Sequence, residues 1–261
     1  MKPDFSQIGF QYQDDLVMAY IGGSHAHGAK VEGTDDTDWY GIFIEPPEKV
    51  MGVDHVEHFV HTTGGKTGGN GPKDVDVCLY TLRKWAGLAA KGNPSSLYFL
   101  FAPTAFSSDS WYYVSTQSGA FLSKGHVFPF LGFANDQLRR LFGEKGQKNI
   151  HRAHLEEQYG YDTKYAMHVI RLYGEAKELM ETGRITLPRP NKDELIAIRQ
   201  GKYKLSEIRE MANQLEFEAT SAAAKSPLPD KVDRDKISNI ISDVYLRYWE
   251  NRSGIHFWSP G

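Results

Sequence analysis

Four aspartates stand where a chain headed for a core has little use for charge. Asp36 and Asp38 lead into the apolar run of "DDTDWYGIFI", and Asp74 and Asp76 open the alternating run "DVDVCLY". Alternate residues of a strand share a face, ~6.5–7 Å apart along it, so each pair points one way if its run is a strand. Paired strands bring cross-strand Cβ atoms to ~4.5–5.5 Å. Asp36, Asp38 and one of the later pair can therefore converge on one point. Three converging carboxylates repel one another unless a counter-charge holds them, and magnesium favours a few carboxylates together with substrate phosphates. A solvated turn is the commoner fate of Asp-x-Asp at a strand start, so the acids need supporting residues. An EF-hand is excluded. Counted from Asp36, Tyr40 falls at a liganding position and Pro47 stands where the bidentate glutamate belongs.

The support comes from Gly22, Gly23 and Ser24, which follow the apolar run "LVMAYI". Glycines let backbone N–H groups approach phosphate closely, a helix start favours anions, and Ser24 adds a hydroxyl. His25 is a further candidate for a phosphate contact. "GGKTGG" is no phosphate loop, because Val60 stands where that motif needs glycine. Lys164, His168 and Arg171 sit at i, i+4 and i+7 of a helical pattern, on one face. Such a stripe is ordinarily solvated; beside a triphosphate it is a phosphate and base clamp. The spacing predicts that Lys164 and Arg171 can be replaced without unfolding the chain. "LRRLFGEKGQKNIHR" is the most basic stretch. Its Arg139, Arg140 and Lys148 are candidates for contact with the backbone of an RNA acceptor. His55, His58 and His61 fall in an alternating run, where a spacing of three switches faces, so no shared metal is expected there.

These residues need a scaffold of two kinds. The first hundred residues are strand and turn with a helix or two; beyond Pro103 the pattern turns helical. The strongest helix is "YDTKYAMHVIRLYGEAKELMETG", with Asp162 or Thr163 as its cap and Gly183 as its stop. Strands first and helices after predict an α+β protein. The expected division is a mixed-sheet catalytic domain over 1–105 and a mainly α-helical nucleotide- and acceptor-binding domain over 106–261.

The ordered set "GSHAHG…TDDTDWYGIFIEP", "YTLRKWAGLAAKGNPSSLYFLF", "YDTKYAMHVIRLYGEAKELMETGRITLPRP" and "IRQGKY" resembles nucleotidyltransferases of the DNA polymerase β superfamily. The nearest likeness is to a bacterial and phage group, part of which is associated with RNA repair. Asp35 departs from the serine common there. The resemblance implies that Asp76, four residues before the tyrosine of "YTLRKW", is the third acid rather than Asp74. It further implies two-metal nucleotidyl transfer, with Asp36, Asp38 and Asp76 as catalytic metal ligands for magnesium, or manganese in its place. The Gly22–Ser24 turn would then hold the terminal phosphates of a nucleoside triphosphate.

Composition agrees with a soluble chain. Of its 261 residues 40% are hydrophobic and 24% charged, and a net charge of -3 leaves any RNA contact to a local patch. A lone cysteine, Cys78, permits no internal disulfide. No apolar run approaches a membrane span and no leader core opens the chain, so the cytoplasm of a bacterial or phage-infected cell is expected. The expected activity is magnesium-dependent, template-independent transfer of a nucleoside monophosphate to an RNA end or tRNA, releasing pyrophosphate. The alternatives are a protein-modifying AMP transferase and a catalytically quiet nucleotide- or tRNA-binding module.

Overall fold

The structure is a computed structural model and describes residues 1–31, 36–64, 74–145 and 152–253. Its strands are β1 (Leu16–Ile21), β2 (Thr37–Phe43), β3 (His58–Thr62), β4 (Val75–Thr81) and β5 (Phe106–Ser107). They form one mixed sheet in the order β3-β4-β2-β1-β5. β2 and β4 run parallel, and the other neighbours are antiparallel. β1 is covered on both faces, which is why "LVMAYI" is a continuous apolar run rather than an alternating one. On one face Tyr20 and Ile42 join Trp85, Phe99 and Ile170. On the other, the N-terminal segment lays Phe5 and Phe10 over Phe43, Val77 and Leu79.

The helices are α1 (Gly23–His27), α2 (Pro47–Met51), α3 (Leu82–Ala89), α4 (Pro94–Leu97), α5 (Asp109–Thr116), α6 (Val127–Leu141), α7 (Ala153–Tyr159), α8 (Thr163–Thr182), α9 (Lys192–Arg199), α10 (Leu205–Lys225) and α11 (Arg234–Ser253). The architecture is therefore α+β, with a mixed sheet first and helices after. α8 is the central helix and packs against α6, α9 and α10. The Asp162 carboxylate accepts from the N–H groups of Lys164 (3.0 Å) and Tyr165 (3.1 Å) and starts it. Gly183, at φ +67°, ends it.

Contacts that cross the sequence halves include two at the sheet. β5, just past residue 105, pairs with β1. α11 returns to the end of β2, where Tyr245 donates to the buried Glu45 carboxylate at 2.7 Å and Trp249 Nε1 donates to the Glu45 carbonyl at 3.1 Å. One apolar cluster runs through both halves, from Val17 to Trp249.

Candidate active site

The parallel pair β2–β4 fixes the acids. Asp38 and Asp76 are register partners, and Asp36 precedes β2 by one residue. One carboxylate oxygen from each of Asp36, Asp38 and Asp76 lies within 4.8 Å of the other two. Asp74 lies outside this group and accepts from Thr63 Oγ1 at 3.1 Å. No histidine joins such a group among the described residues. Three hard oxygen donors this close suit a magnesium- or manganese-type cation and offer nothing for a soft metal.

The glycine turn is built against these acids. The Gly22 N–H donates to the Asp38 carbonyl at 2.8 Å. Gly23 opens α1 at φ +56°, in the left-handed region, and a Cβ there would lie 1.8 Å from Asp38 Oδ2. A Cβ on Gly22 would lie 2.3 Å from the Tyr40 ring. Only a residue without Cβ lets this turn approach the acids so closely.

A cavity of about 280 Å³ opens over the turn, walled by Gly22, Gly23, Ser24, Asp36, Asp38, Lys164, His168 and Arg171. The glycine turn, two of the acids and the α8 stripe, far apart in sequence, thus share one wall. His25 is exposed and outside that wall; the buried His27 belongs to it. A larger cavity of about 760 Å³ adjoins, sharing Asp36, Ser95, Tyr98, Lys164, His168 and Arg171. On the sheet side, a groove of about 500 Å³ along β2–β4 holds Asp38 and Asp76.

Arg171 is not the solvated residue its spacing allows. Its side chain is 9% exposed, and it lies 3.6 Å from the fully buried Glu175 carboxylate, one turn on. Tyr98 donates to Glu175 Oε2 at 2.7 Å and accepts from Arg171 Nη1 at 3.2 Å. Arg171 also contacts His27 Nε2 and lies 3.2 Å from His168 Nδ1. A guanidinium has only donors, so His27 Nε2 must accept and its proton sits on Nδ1, 3.1 Å from Glu175 Oε1. Burial opposes ionisation of Glu175, yet Arg171 and then His27 outweigh it and hold the carboxyl at about 2. The expectation that Arg171 can be replaced without unfolding the chain now carries a stability cost that its spacing did not show: it neutralises a buried carboxylate. Lys164 is half-buried at the cavity wall and fits the expectation better.

Sequence reading missed His27, Tyr98 and Glu175. Glu175 did leave a signal, an acid four residues after Arg171 among apolar positions of α8. His27 and Tyr98 left none, being 144 and 73 residues from Arg171.

His27 makes stability depend on pH. Burial first, then the Arg171 charge, lower its pKa from 6.5 to about 4 against the pull of Glu175. Between those values the unfolded chain binds a proton that the folded chain refuses. Its contribution is therefore complete above the ordinary histidine range and lost as pH falls toward 4, at up to ~1.4 kcal/mol per pH unit. Burial likewise lowers His168, which adds to the same slope. Urea unfolding should show stability falling between pH 6.5 and 4.5, and His27→Asn should flatten that slope. An unchanged slope would rule out His27 as its source.

The basic stretch is partly used internally. Arg152 pairs with Asp162 at 3.1 Å and lies 4.2 Å over the Tyr165 ring; Lys145 pairs with Asp136 at 2.6 Å. Arg139 and Arg140 are exposed in the last turn of α6. Lys148 lies outside the described residues, as do Asp35 and the "GKTGG" loop.

Residues 1–241 match the family model RlaP, described as the RNA repair pathway DNA polymerase beta family. Over 138 residues the chain is 26% identical to the "Uncharacterized 38.9 kDa protein in nrdC-mobD intergenic region" of Enterobacteria phage T4. That match covers 51% of this chain, and the chain spans only 40% of the phage protein's length. A nucleotidyltransferase-like protein from Exiguobacterium sibiricum aligns with 91% of this chain and 73% of its own, at 12% identity and a TM-score of 0.29. Among the described residues no helix is long and apolar enough to cross a membrane.

Proposed function

This chain belongs to the RNA repair pathway DNA polymerase beta family, and from that premise we propose that it transfers a nucleoside monophosphate from a nucleoside triphosphate to a hydroxyl of RNA. The observation that carries the proposal is the trio of carboxylates within 4.8 Å, set against a glycine turn at the wall of a cavity. Asp36, Asp38 and Asp76 would hold magnesium, which when bound supplies Lewis-acid neutralisation of the triphosphate and the attacking hydroxyl. Residues 1–105 supply this chemistry, and residues 106–261 supply binding groups.

The chain's own groups do the positioning. Backbone N–H groups at Gly23 and the Ser24 hydroxyl receive the terminal phosphates, with the Lys164 ammonium and Arg171 guanidinium as counter-charges. Neutral His168 offers a ring nitrogen without adding charge. The acceptor hydroxyl approaches along the β2–β4 groove, which holds Asp38 and Asp76 and meets the cavity at Asp38 and Tyr40. Its oxygen bonds to the α-phosphorus, the α–β bridging oxygen leaves with pyrophosphate, and the hydroxyl proton passes to water. No covalent protein intermediate is needed.

Incubation with each labelled NTP, magnesium and total RNA tests the proposal. Label in RNA supports it. Label in protein points to AMP transfer onto a protein hydroxyl, and binding without transfer to a nucleotide-binding module. Arg139→Ala with Arg140→Ala should weaken RNA use while leaving NTP affinity unchanged. Because phosphate contacts release counterions, RNA affinity should fall as salt rises from ~50 to ~200 mM. A flat salt response would remove α6 from the acceptor contact.

A further inference from the structure

The triphosphate site leaves the larger cavity without a role. At about 760 Å³ it lies within the range of small-molecule sites, ~300–1,000 Å³. It shares Lys164, His168 and Arg171 with the smaller cavity, so a ligand with its phosphates over the glycine turn would extend into it. Its wall carries Phe133 and Gln137, one turn apart on α6 and hence on one face. The rest of α6 gives the contrast. Phe130 and Ala134 are in the core, and Leu138 and Leu141 pack against it; of the two exposed rings, Phe128 at 73% and Phe133 at 48%, Phe133 lines the cavity. A large ring held half in water at a cavity wall is a platform with one face open. Gln158, beside Tyr159 at the end of α7, and Gln200, at the end of α9, line the same cavity. Among the described residues the amides of Gln137, half-buried, and of Gln158 and Gln200, exposed, make no protein hydrogen bond, and an amide offers a ligand both a donor and an acceptor.

We propose that this cavity binds a nucleobase, stacked on Phe133, with its edge hydrogen-bonded by the glutamine amides of α6, α7 and α9. The inference rests on the triphosphate reading of the smaller cavity and names what lies beyond the phosphates. An aromatic face accepts any base, whereas amides, each both donor and acceptor, discriminate among base edges. The base has two possible sources: the donor NTP or the terminal nucleotide of the RNA acceptor.

Calorimetric titration in magnesium buffer separates these. The probes are inorganic tripolyphosphate, the four NTPs and a short oligoribonucleotide, each on wild type, Phe133→Ala, Phe133→Leu and Phe133→Trp. Phe133 is half-exposed, so the variants keep the core; thermal unfolding checks this. The expected result is that wild type binds at least one NTP more tightly than tripolyphosphate. Phe133→Ala and Phe133→Leu should weaken that NTP roughly tenfold or more, from the worth of one base–aromatic stack. Their tripolyphosphate affinity should not change. Phe133→Trp should restore NTP binding and its fluorescence should be quenched by the base. If Phe133→Ala instead weakens only the oligoribonucleotide, the base belongs to the acceptor and the site stands. If it changes neither ligand while tripolyphosphate still binds, the nucleobase site is overturned and the phosphate site survives. If tripolyphosphate and NTPs both fail to bind wild type, the phosphate reading itself is overturned and this inference falls with it.

Discussion

Asp38→Asn should abolish transfer and leave the metal-free protein as stable as wild type, or more so. The two effects separate a functional acid from a structural one. A structural aspartate supplies a cap or ion pair, and its neutralisation costs stability. Asp38 stands with Asp36 and Asp76 inside 4.8 Å, so two like charges oppose its own. Like charges ~5 Å apart at an effective dielectric of about 20–40 repel by on the order of 1–3 kcal/mol. Asparagine keeps the shape that Gly23 packs against and removes one of those charges. Magnesium with NTP should raise the melting temperature of wild type by mass action and that of the variant much less. The measurement is thermal unfolding of both proteins in EDTA and in magnesium plus NTP, beside the transfer assay. A metal-free variant melting several degrees below wild type, or one with full activity, would sink Asp38 as a metal ligand.

Glu175→Gln should be the most destabilising single change near the site, costing about 3–5 kcal/mol. That is the usual cost of removing one partner of a buried ion pair and leaving the other charge uncompensated. Here the orphan would be Arg171, whose side chain is 9% exposed and whose remaining contacts are the Tyr98 hydroxyl and two imidazoles. The glutamine amide would also set a donor or a weaker acceptor where Tyr98 now donates to a carboxylate. Arg171→Met should cost a similar amount by stranding Glu175. The double variant should cost clearly less than the sum, because contacting partners are not additive. Lys164→Ala should change stability little and weaken NTP binding, since Lys164 is half-buried at the cavity wall. Urea unfolding of the four variants checks this. A Glu175→Gln cost below ~1 kcal/mol, or full additivity in the double variant, would show that the pair does not act as a unit.

Much of the molecule was legible from neighbours along the chain. The periods of β1, β2, β4 and α8, the Asp162 cap and the Gly183 stop are local properties. Backbone geometry converts them into structure wherever the chain goes. The acids at the heads of two strands were legible for the same reason, since a strand of period two fixes which side each faces. The family likeness of "GS…DxD" then named their company.

Three things were decided only by the tertiary structure. The first is register. The β2–β4 pairing sets Asp38 beside Asp76, and a slip of one residue would have turned the later acids to the other face. The second is the dielectric around Arg171. The sequence gives its helix face but not what covers that face. Only after α1 and the Tyr98 turn pack there does a surface cation become half of a buried pair. The third is the return of α11 to Glu45, across about 200 residues of chain. A buried carboxylate in "IFIEP" finds its donor, the Tyr245 hydroxyl, there, and no local pattern announces a partner so far away. Periodicity and capping are short-range and written in the order of residues. Charge burial depends on everything within a few ångströms, and folding alone determines what that is.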